Sequence, residues 1–380
     1  MEFVDQIENI AIDRAKSLFG VPHANVQPYS GSPANSAVYF ALLETGDCLM
    51  GMSLGAGGHL THGHPKITFS GKYFKTIQYN LNVETRLIAS LPSGQNVETS
   101  RRGVSTEDGI KVPVGDDWFD FEEIRRLAIE NKPKIIVAGA TAFPRVINWE
   151  KFAQIADEVG AYLMADISHI AGLITGEVHP SPVPFAHLIT TTTHKTLRGP
   201  RGAIVMVTEK GLKKDPDLGK KIDKAVFPGL QGGPHLETIA GIAIALEKAG
   251  QPEFKEYAAQ IVKNAKALSE KLLLTGFDLV TGGTDNHLIL LDLRKHGIGG
   301  KEAAEVLEKE GIVVNANAVP FDDAPPFRPS GIRLGTPAVT ARGMKEKEME
   351  EIGEMIASVL LEKKLVKEEV VKLCGRFPVL

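Results

Sequence analysis

Apolar positions Phe3, Ile7, Ile10, Ala11 and Leu18 recur at helical spacing among acidic residues from Met1 to Phe19, which predicts an opening helix. The turn-rich stretch Gln27-Pro-Tyr-Ser-Gly-Ser-Pro33 then introduces a helix read from Ala34 to Leu43. Farther on, Lys134–Ala138 predicts a strand, Trp149–Val159 a helix with Phe152, Ile155 and Ala156 apolar, and Ala161–Ala165 a second strand. Two more strands follow, His187–Thr193 and Gly202–Val207. Strands alternating with amphipathic helices imply a mostly parallel sheet covered on both faces, an α/β fold.

Helical periodicity returns at Ile239–Lys248 and Glu253–Leu274. From Gly276 the order becomes strand (Leu288–Leu293), helix (Gly300–Glu310), strand (Ile312–Asn315), a strand bearing Arg333, and a helix at Lys345–Leu361. We expect a large unit over residues 1–246 and a smaller α+β unit over 247–380, in keeping with roughly 150 residues per domain. The segment Arg86–Asp117, rich in Gly, Ser, Thr and charge, is expected to be a surface insertion.

Composition narrows the function classes. Hydrophobic residues make up 43% of the chain and charged residues 24%, ordinary globular values that exclude a disordered tail protein. A net charge of -4 supplies no field for a polyanion, so nucleic acid is not expected as a partner. Cys48 and Cys374 are too far apart and too few for a disulfide framework or a cysteine zinc site, which suits a reducing cytoplasm. No apolar run is long enough to span a bilayer, and the opening helix is too charged for a secretory signal.

The densest chemistry lies in Thr190-Thr-Thr-Thr-His-Lys-Thr-Leu-Arg-Gly-Pro-Arg-Gly202. A lysine leaving a strand reaches the crevice at the strand ends, where Arg198, Arg201 and burial disfavour its ammonium form and free the amine of Lys195 for imine chemistry. The bland alternative is a surface lysine in a polar turn. Asp166 ends the preceding strand and can pair with a protonated pyridine nitrogen, keeping such a ring electron-poor; the competing role is a helix N-cap. Ser30-Gly31-Ser32 opens a helix whose N–H groups and dipole suit a phosphate, or merely cap it. Phe227-Pro-Gly-Leu-Gln-Gly-Gly-Pro234 is a second glycine-rich turn before a helix. Arg333 between glycines can fork onto a carboxylate or form a structural ion pair. His59, His62 and His64 have spacings that can converge on zinc, but no ligand carboxylate motif accompanies them, so no metal is expected; a histidine in a Gly-Gly-His turn can instead lie on an aromatic ring.

These segments together resemble serine hydroxymethyltransferases over nearly the whole chain. The resemblance rests on Glu2-Phe-Val-Asp5, HANVQPYSGSPAN (His23–Asn35), GGHLTHG (Gly57–Gly63), Asp166–Leu173, Thr190–Gly202, Ala225–Pro234, GGTDNH (Gly282–His287) and Ser330–Ala338. It implies a fold-type-I PLP-dependent transferase (PLP, pyridoxal 5'-phosphate) that moves a one-carbon unit between serine and tetrahydrofolate, with glycine as the other amino acid. On the matching positions it implies Lys195 as the Schiff-base lysine, Asp166 as partner of the pyridine nitrogen and His59 as the residue stacked on the ring. His169 and Thr141 would lie at the phenolic side, and Thr192 and His194 along the reacting face. Ser30, Gly31 and Ser32 would hold the phosphate, with Gly233 reaching the phosphate of a neighbouring subunit in a homodimer or dimer of dimers. Arg333 would bind the substrate carboxylate; Leu54, Gly58, Leu60 and Asn317 match folate-contacting positions.

The family's sequences carry, before the segment matching Glu2, an arm with tyrosines and a glutamate that serve the site across the dimer interface. This sequence is expected to lack it, which leaves the lysine–cofactor chemistry encoded and brings in two alternatives, folate-independent cleavage of 3-hydroxy amino acids and a noncatalytic scaffold. Pro33, Ala203 and Ala316 are smaller departures from the family pattern.

Overall fold

A computed structural model describes residues 2–65, 67–82, 104–105, 111–112, 118–325 and 327–379. The chain runs α1 (Glu2–Phe19), β1 (His23–Asn25), α2 (Gly31–Leu42), β2 (Cys48–Met52), β3 (Lys75–Tyr79), α3 (Phe121–Asn131), β4 (Ile135–Gly139), α4 (Trp149–Val159), β5 (Tyr162–Asp166), β6 (Leu188–Thr192), β7 (Ala203–Val207), α5 (Leu236–Ala249) and α6 (Pro252–Leu274). It continues through β8 (Asp278–Leu279), β9 (Leu288–Asp292), α7 (Gly300–Lys309), β10 (Asn315–Asn317), β11 (Gly331–Gly335), α8 (Glu346–Leu360) and α9 (Lys367–Arg376).

Seven strands form one sheet in the order β1-β7-β6-β5-β4-β2-β3. From β6 to β3 neighbours are parallel, whereas β7 runs antiparallel to both β6 and β1. Every residue of β2, β4, β6 and β7 is buried, because helices cover both faces. The two-residue period sorts them: Ile136, Ala138, Leu163 and Ala165 join Ala11 and Ala15 of α1 and Ile239 and Ile242 of α5 in one core. Ile135, Val137 and Met164 face Ala34, Ala37 and Val38 of α2 in the other. Helix α4 begins where Asn148 accepts the Lys151 N–H and stops at Gly160, whose φ of 73° ends it in the left-handed region.

A second, antiparallel sheet has the order β8-β9-β11-β10. Helix α6 touches both units, giving Phe254, Ala258 and Ile261 to the first core and Leu268 and Leu272 to the one behind the second sheet.

The structure departs from the sequence expectations in particulars. The helix expected from Ala34 starts at Gly31, which brings the Ser30–Ser32 loop into its first turn. The strand expected at Ile312–Asn315 begins only at Asn315, because Gly311 turns the chain at φ 86° and the Ile312 N–H closes α7 on Leu307 O. β1, β2, β3, α3, β8 and α9 were not expected from the pattern. The insertion expected at 86–117 lies outside the described residues apart from the antiparallel pair Val104–Ser105 and Lys111–Val112. Among the described residues no helix is long and apolar enough to cross a membrane.

Candidate active site

The parallel strands β2, β4, β5 and β6 all point their C-terminal ends to one edge of the sheet, the edge at which such folds bind ligands. A cleft of about 290 Å3 opens there, lined by Ser30, Gly31, Ser32, Asn35, His59 and Thr141 from the β2, β4 and α2 side. Asp166 ends β5 and Ser168 and His169 follow it, while Thr192 ends β6 and His194, Lys195 and Arg201 follow it. Ten of the sequence-predicted residues therefore meet in a single cavity.

Lys195 is largely buried, and burial pulls its ammonium below the ordinary lysine value; Arg333 and Arg201 add to this while Asp166 opposes it. Of the two arginines expected beside it, only Arg201 faces the cleft. Arg198 is exposed and lies over the Tyr257 ring at 4.7 Å, turned there by its own left-handed φ of 57°. The second cation near Lys195 is instead Arg333 from β11.

Burial alone would raise the Asp166 pKa, but its hydrogen bonds outweigh that and hold the carboxyl well below the usual range. Oδ2 accepts from His62 Nε2 at 2.9 Å and from Asn35 Nδ2 at 2.9 Å, and Oδ1 accepts the Ser168 N–H at 3.0 Å. The N-cap alternative for Asp166 does not hold, since the short helix at Ala171–Thr175 begins after Ile170. The cleft thus keeps a negative charge at its floor, held by hydrogen bonds from His62, Asn35 and the Ser168 N–H.

His59 Nδ1 accepts the Thr61 N–H at 3.2 Å and lies 2.7 Å from Thr61 Oγ1, which itself accepts from Asn35. Burial, with His62 and Lys195 nearby, lowers its pKa to about 4, so the imidazole is neutral at physiological pH. The three histidines read as a zinc candidate do not converge: His62 turns to Asp166 and His59 to Thr61, with ring centroids 5.7 Å apart.

At the start of α2, Ser30 makes no side-chain cap bond, and Pro33, with no N–H to lose, is tolerated in the first turn. Gly31 forms a cradle: a Cβ there would lie 2.8 Å from Thr192 Cγ2. Thr192 is itself fixed by Ser168, whose Oγ accepts its N–H at 3.1 Å.

Arg333 enters from the second sheet and donates from Nη1 to Thr141 O at 2.9 Å. Among the described residues no carboxylate pairs with it, so the structural ion pair weighed above is not formed, and burial depresses its pKa. His194 Nε2 accepts from Arg201 at 3.2 Å, and burial lowers its pKa. Arg333 does not itself line the cleft but is bound to Thr141, which does, and Gly233, Leu54, Gly58, Leu60 and Asn317 do not line it either. Gly233 sits on an exposed turn, its carbonyl bound by the Tyr29 hydroxyl at 2.8 Å.

The sequence reading missed Asn35 and, as a partner of Asp166, His62. Both had a signal: Asn35 stands one helical turn after Gly31, on the same face, and His62 one turn after His59.

This constellation fits pyridoxal phosphate. A helix N-terminus with a glycine cradle suits the phosphate, an ionised acid the ring nitrogen and a neutral-leaning amine the aldehyde. Fold and site together define a fold-type-I pyridoxal-phosphate enzyme. The serine hydroxymethyltransferase family model matches residues 1–101 and 91–356. A curated serine hydroxymethyltransferase of Desulfotalea psychrophila is 50% identical over 386 residues, covering 99% of this chain and 81% of the relative. One of Acidothermus cellulolyticus is 54% identical over 358 residues, covering 94% and 75%. The chain belongs to the serine hydroxymethyltransferase family.

Proposed function

We propose that this chain interconverts serine and glycine with pyridoxal phosphate as cofactor and tetrahydrofolate as cosubstrate, through the cleft residues described above. The observation that carries the assignment is one cavity holding an amine whose ammonium form burial disfavours and an ionised carboxylate, with the Arg333 guanidinium bound to the lining residue Thr141 and, among the described residues, to no carboxylate.

Bound pyridoxal phosphate supplies an electron-poor ring that withdraws electrons from the α-carbon of an amino acid. Lys195 would hold the aldehyde end through its amine, whose ammonium form is disfavoured by burial. Asp166 keeps the pyridine nitrogen protonated, and His62 and Asn35 keep Asp166 ionised. His59, neutral, would lie against the ring, and His169 and Thr141 would hold its phenolic side. Ser30, Gly31 and Ser32 bind the phosphate. Arg333 orients the substrate by its carboxylate, since among the described residues the guanidinium is hydrogen-bonded only to Thr141 O. Thr192 and His194 shape the reacting face, and Leu54, Gly58, Leu60 and Asn317 receive the folate.

A homodimer is part of the same proposal. Phe40, close against Gly229, and Phe227 and Leu230 remain 52%, 51% and 41% exposed beside Gly233, whose turn lies away from its own cleft. The division near residue 246 is supported by the two cores that α6 joins. The cytoplasmic assignment is supported by two unpaired cysteines.

The test is borohydride reduction of the protein loaded with pyridoxal phosphate, followed by peptide mass analysis. The cofactor mass is expected on the Lys195 peptide and absent from Lys195→Ala. Cofactor mass on another lysine overturns the assignment, and serine cleavage independent of tetrahydrofolate overturns the folate role.

A further inference from the structure

The motif Gly282–His287 stitches the two units together at the cleft. Thr284 Oγ1 and the Asp285 N–H donate to Pro144 O at 3.2 and 2.8 Å, and Asn286 Nδ2 donates to Phe143 O at 3.0 Å. Arg145 returns from the same loop to Asp285 Oδ1 at 3.0 Å. The next residue, His287, is pinned by its carbonyl, which accepts the Thr336 N–H at 3.0 Å. Its ring is thereby delivered against His169, with centroids 5.7 Å apart and planes 21° from parallel.

Among the described residues no hydrogen bond holds the His169 ring. Only its backbone carbonyl is engaged, by Thr196 Oγ1 at 3.1 Å. His287 is 6% exposed, and among the described residues its buried Nδ1 has no hydrogen-bond partner. A buried polar atom left unbonded is costly, so hydrogen bonding does not account for a histidine here. What remains is a small flat ring.

We propose that His287 is a positioning residue for the reaction: by stacking from the second sheet it sets the plane of the His169 ring at the cofactor cleft. The proposal rests on the role assigned above to His169. The groups facing His169 are Lys195 after β6, Arg333 on β11, Asp166 at the end of β5 and His287 before β9. Burial and the first two cations, with His287, keep the His169 imidazole neutral, against Asp166. His287 faces Arg333, Lys195 and His179, and burial lowers its pKa to about 3, so the stack adds no charge beside those cations.

The test compares His287→Ala, His287→Leu and His287→Phe in the full-length protein. In the cofactor-free His287→Ala protein, NMR titration of His169 moves up toward the ordinary imidazole value as water reaches the ring. In the loaded enzyme, Ala and Leu lower kcat roughly tenfold to a hundredfold, the scale of a misplaced catalytic group, with the serine KM near the parent value. Phe, which keeps a flat ring, restores most of kcat. Leu fills the space without a ring and gives the same comparison if Ala does not fold. An unchanged His169 titration in Ala, or Leu as active as the parent, overturns the proposal. If His169→Phe itself leaves kcat and the cofactor spectrum unchanged, the role of His169 has failed instead.

Discussion

The Nε2–H of His62 reaches Oδ2 of Asp166 across 2.9 Å, although the two residues stand 104 positions apart. His62 Nδ1 accepts the His59 N–H at 3.2 Å, which fixes the tautomer and leaves Nε2 as the donor. One backbone amide thus sets the direction of the hydrogen bond that keeps the acid charged.

Replacing His62 by Phe should therefore act through Asp166. Losing one donor to a buried carboxylate is expected to cost about 1–3 kcal/mol of stability and to weaken cofactor binding, with little change in serine KM once the protein is saturated. Urea unfolding and cofactor titration measure both; unaltered cofactor affinity would contradict the arrangement.

Buried neutral histidines predict an acid-side loss of stability. His287 titrates at about 3 in the folded protein, against about 6.5 when unfolded. Between those values the unfolded chain binds the extra proton, so stability is fully present above about pH 6.5 and falls by roughly 1.4 kcal/mol per pH unit for this residue as pH drops. His59, with a folded value of about 4, acts in the same direction. Asp166, also depressed, adds its own loss only below about pH 4, the unfolded carboxylate range. Urea unfolding at pH 7 and pH 5 should show a shallower slope for His287→Phe than for the parent, and parallel slopes would count against a neutral His287.

Arg333→Leu should separate binding from stability. The variant loses the carboxylate site, so serine KM rises roughly tenfold to a hundredfold, the range for hydrogen bonds to a charged group. Its melting temperature should not fall, because a half-buried cation without a counter-ion is removed. A clear drop in melting temperature would mean the guanidinium is structural.

Gly31→Ala puts a methyl group 2.8 Å from Thr192 Cγ2. An overpacking cost of about 1–3 kcal/mol is expected, together with weaker cofactor binding as the first turn of α2 shifts. Thr192→Ser in the same chain removes the clashing carbon and should recover part of both. Strictly additive effects in this double-mutant cycle would show that the two positions do not touch.

Strands β4, β5 and β6, which carry most of the site, were legible as apolar or hydroxyl runs, whereas β2 was not, although it is as deeply buried. Lys134–Ala138 and His187–Thr193 are apolar or hydroxyl runs bounded by turns, and they sit within a residue of β4 and β6. Strand β3 was not, because its residues Lys75, Thr76 and Gln78 are polar at the edge of the sheet. Asn35 was given no role and His62 read as a metal candidate, since their spacing from Gly31 and His59 does not show that either lies beside Asp166.

By itself the sequence determined the strands β4 to β7 and the chemistry they carry: that Lys195 and Asp166 leave neighbouring strands, and which family the motifs resemble. These are local properties, written in residue period and spacing. Only the tertiary structure decided that Arg333 rather than Arg198 stands near Lys195, that His62 serves an acid, and that His287 stacks on His169 from the other sheet. Contacts between residues a hundred positions apart depend on how packed layers bring chain segments together, and no local pattern of side chains encodes that distance.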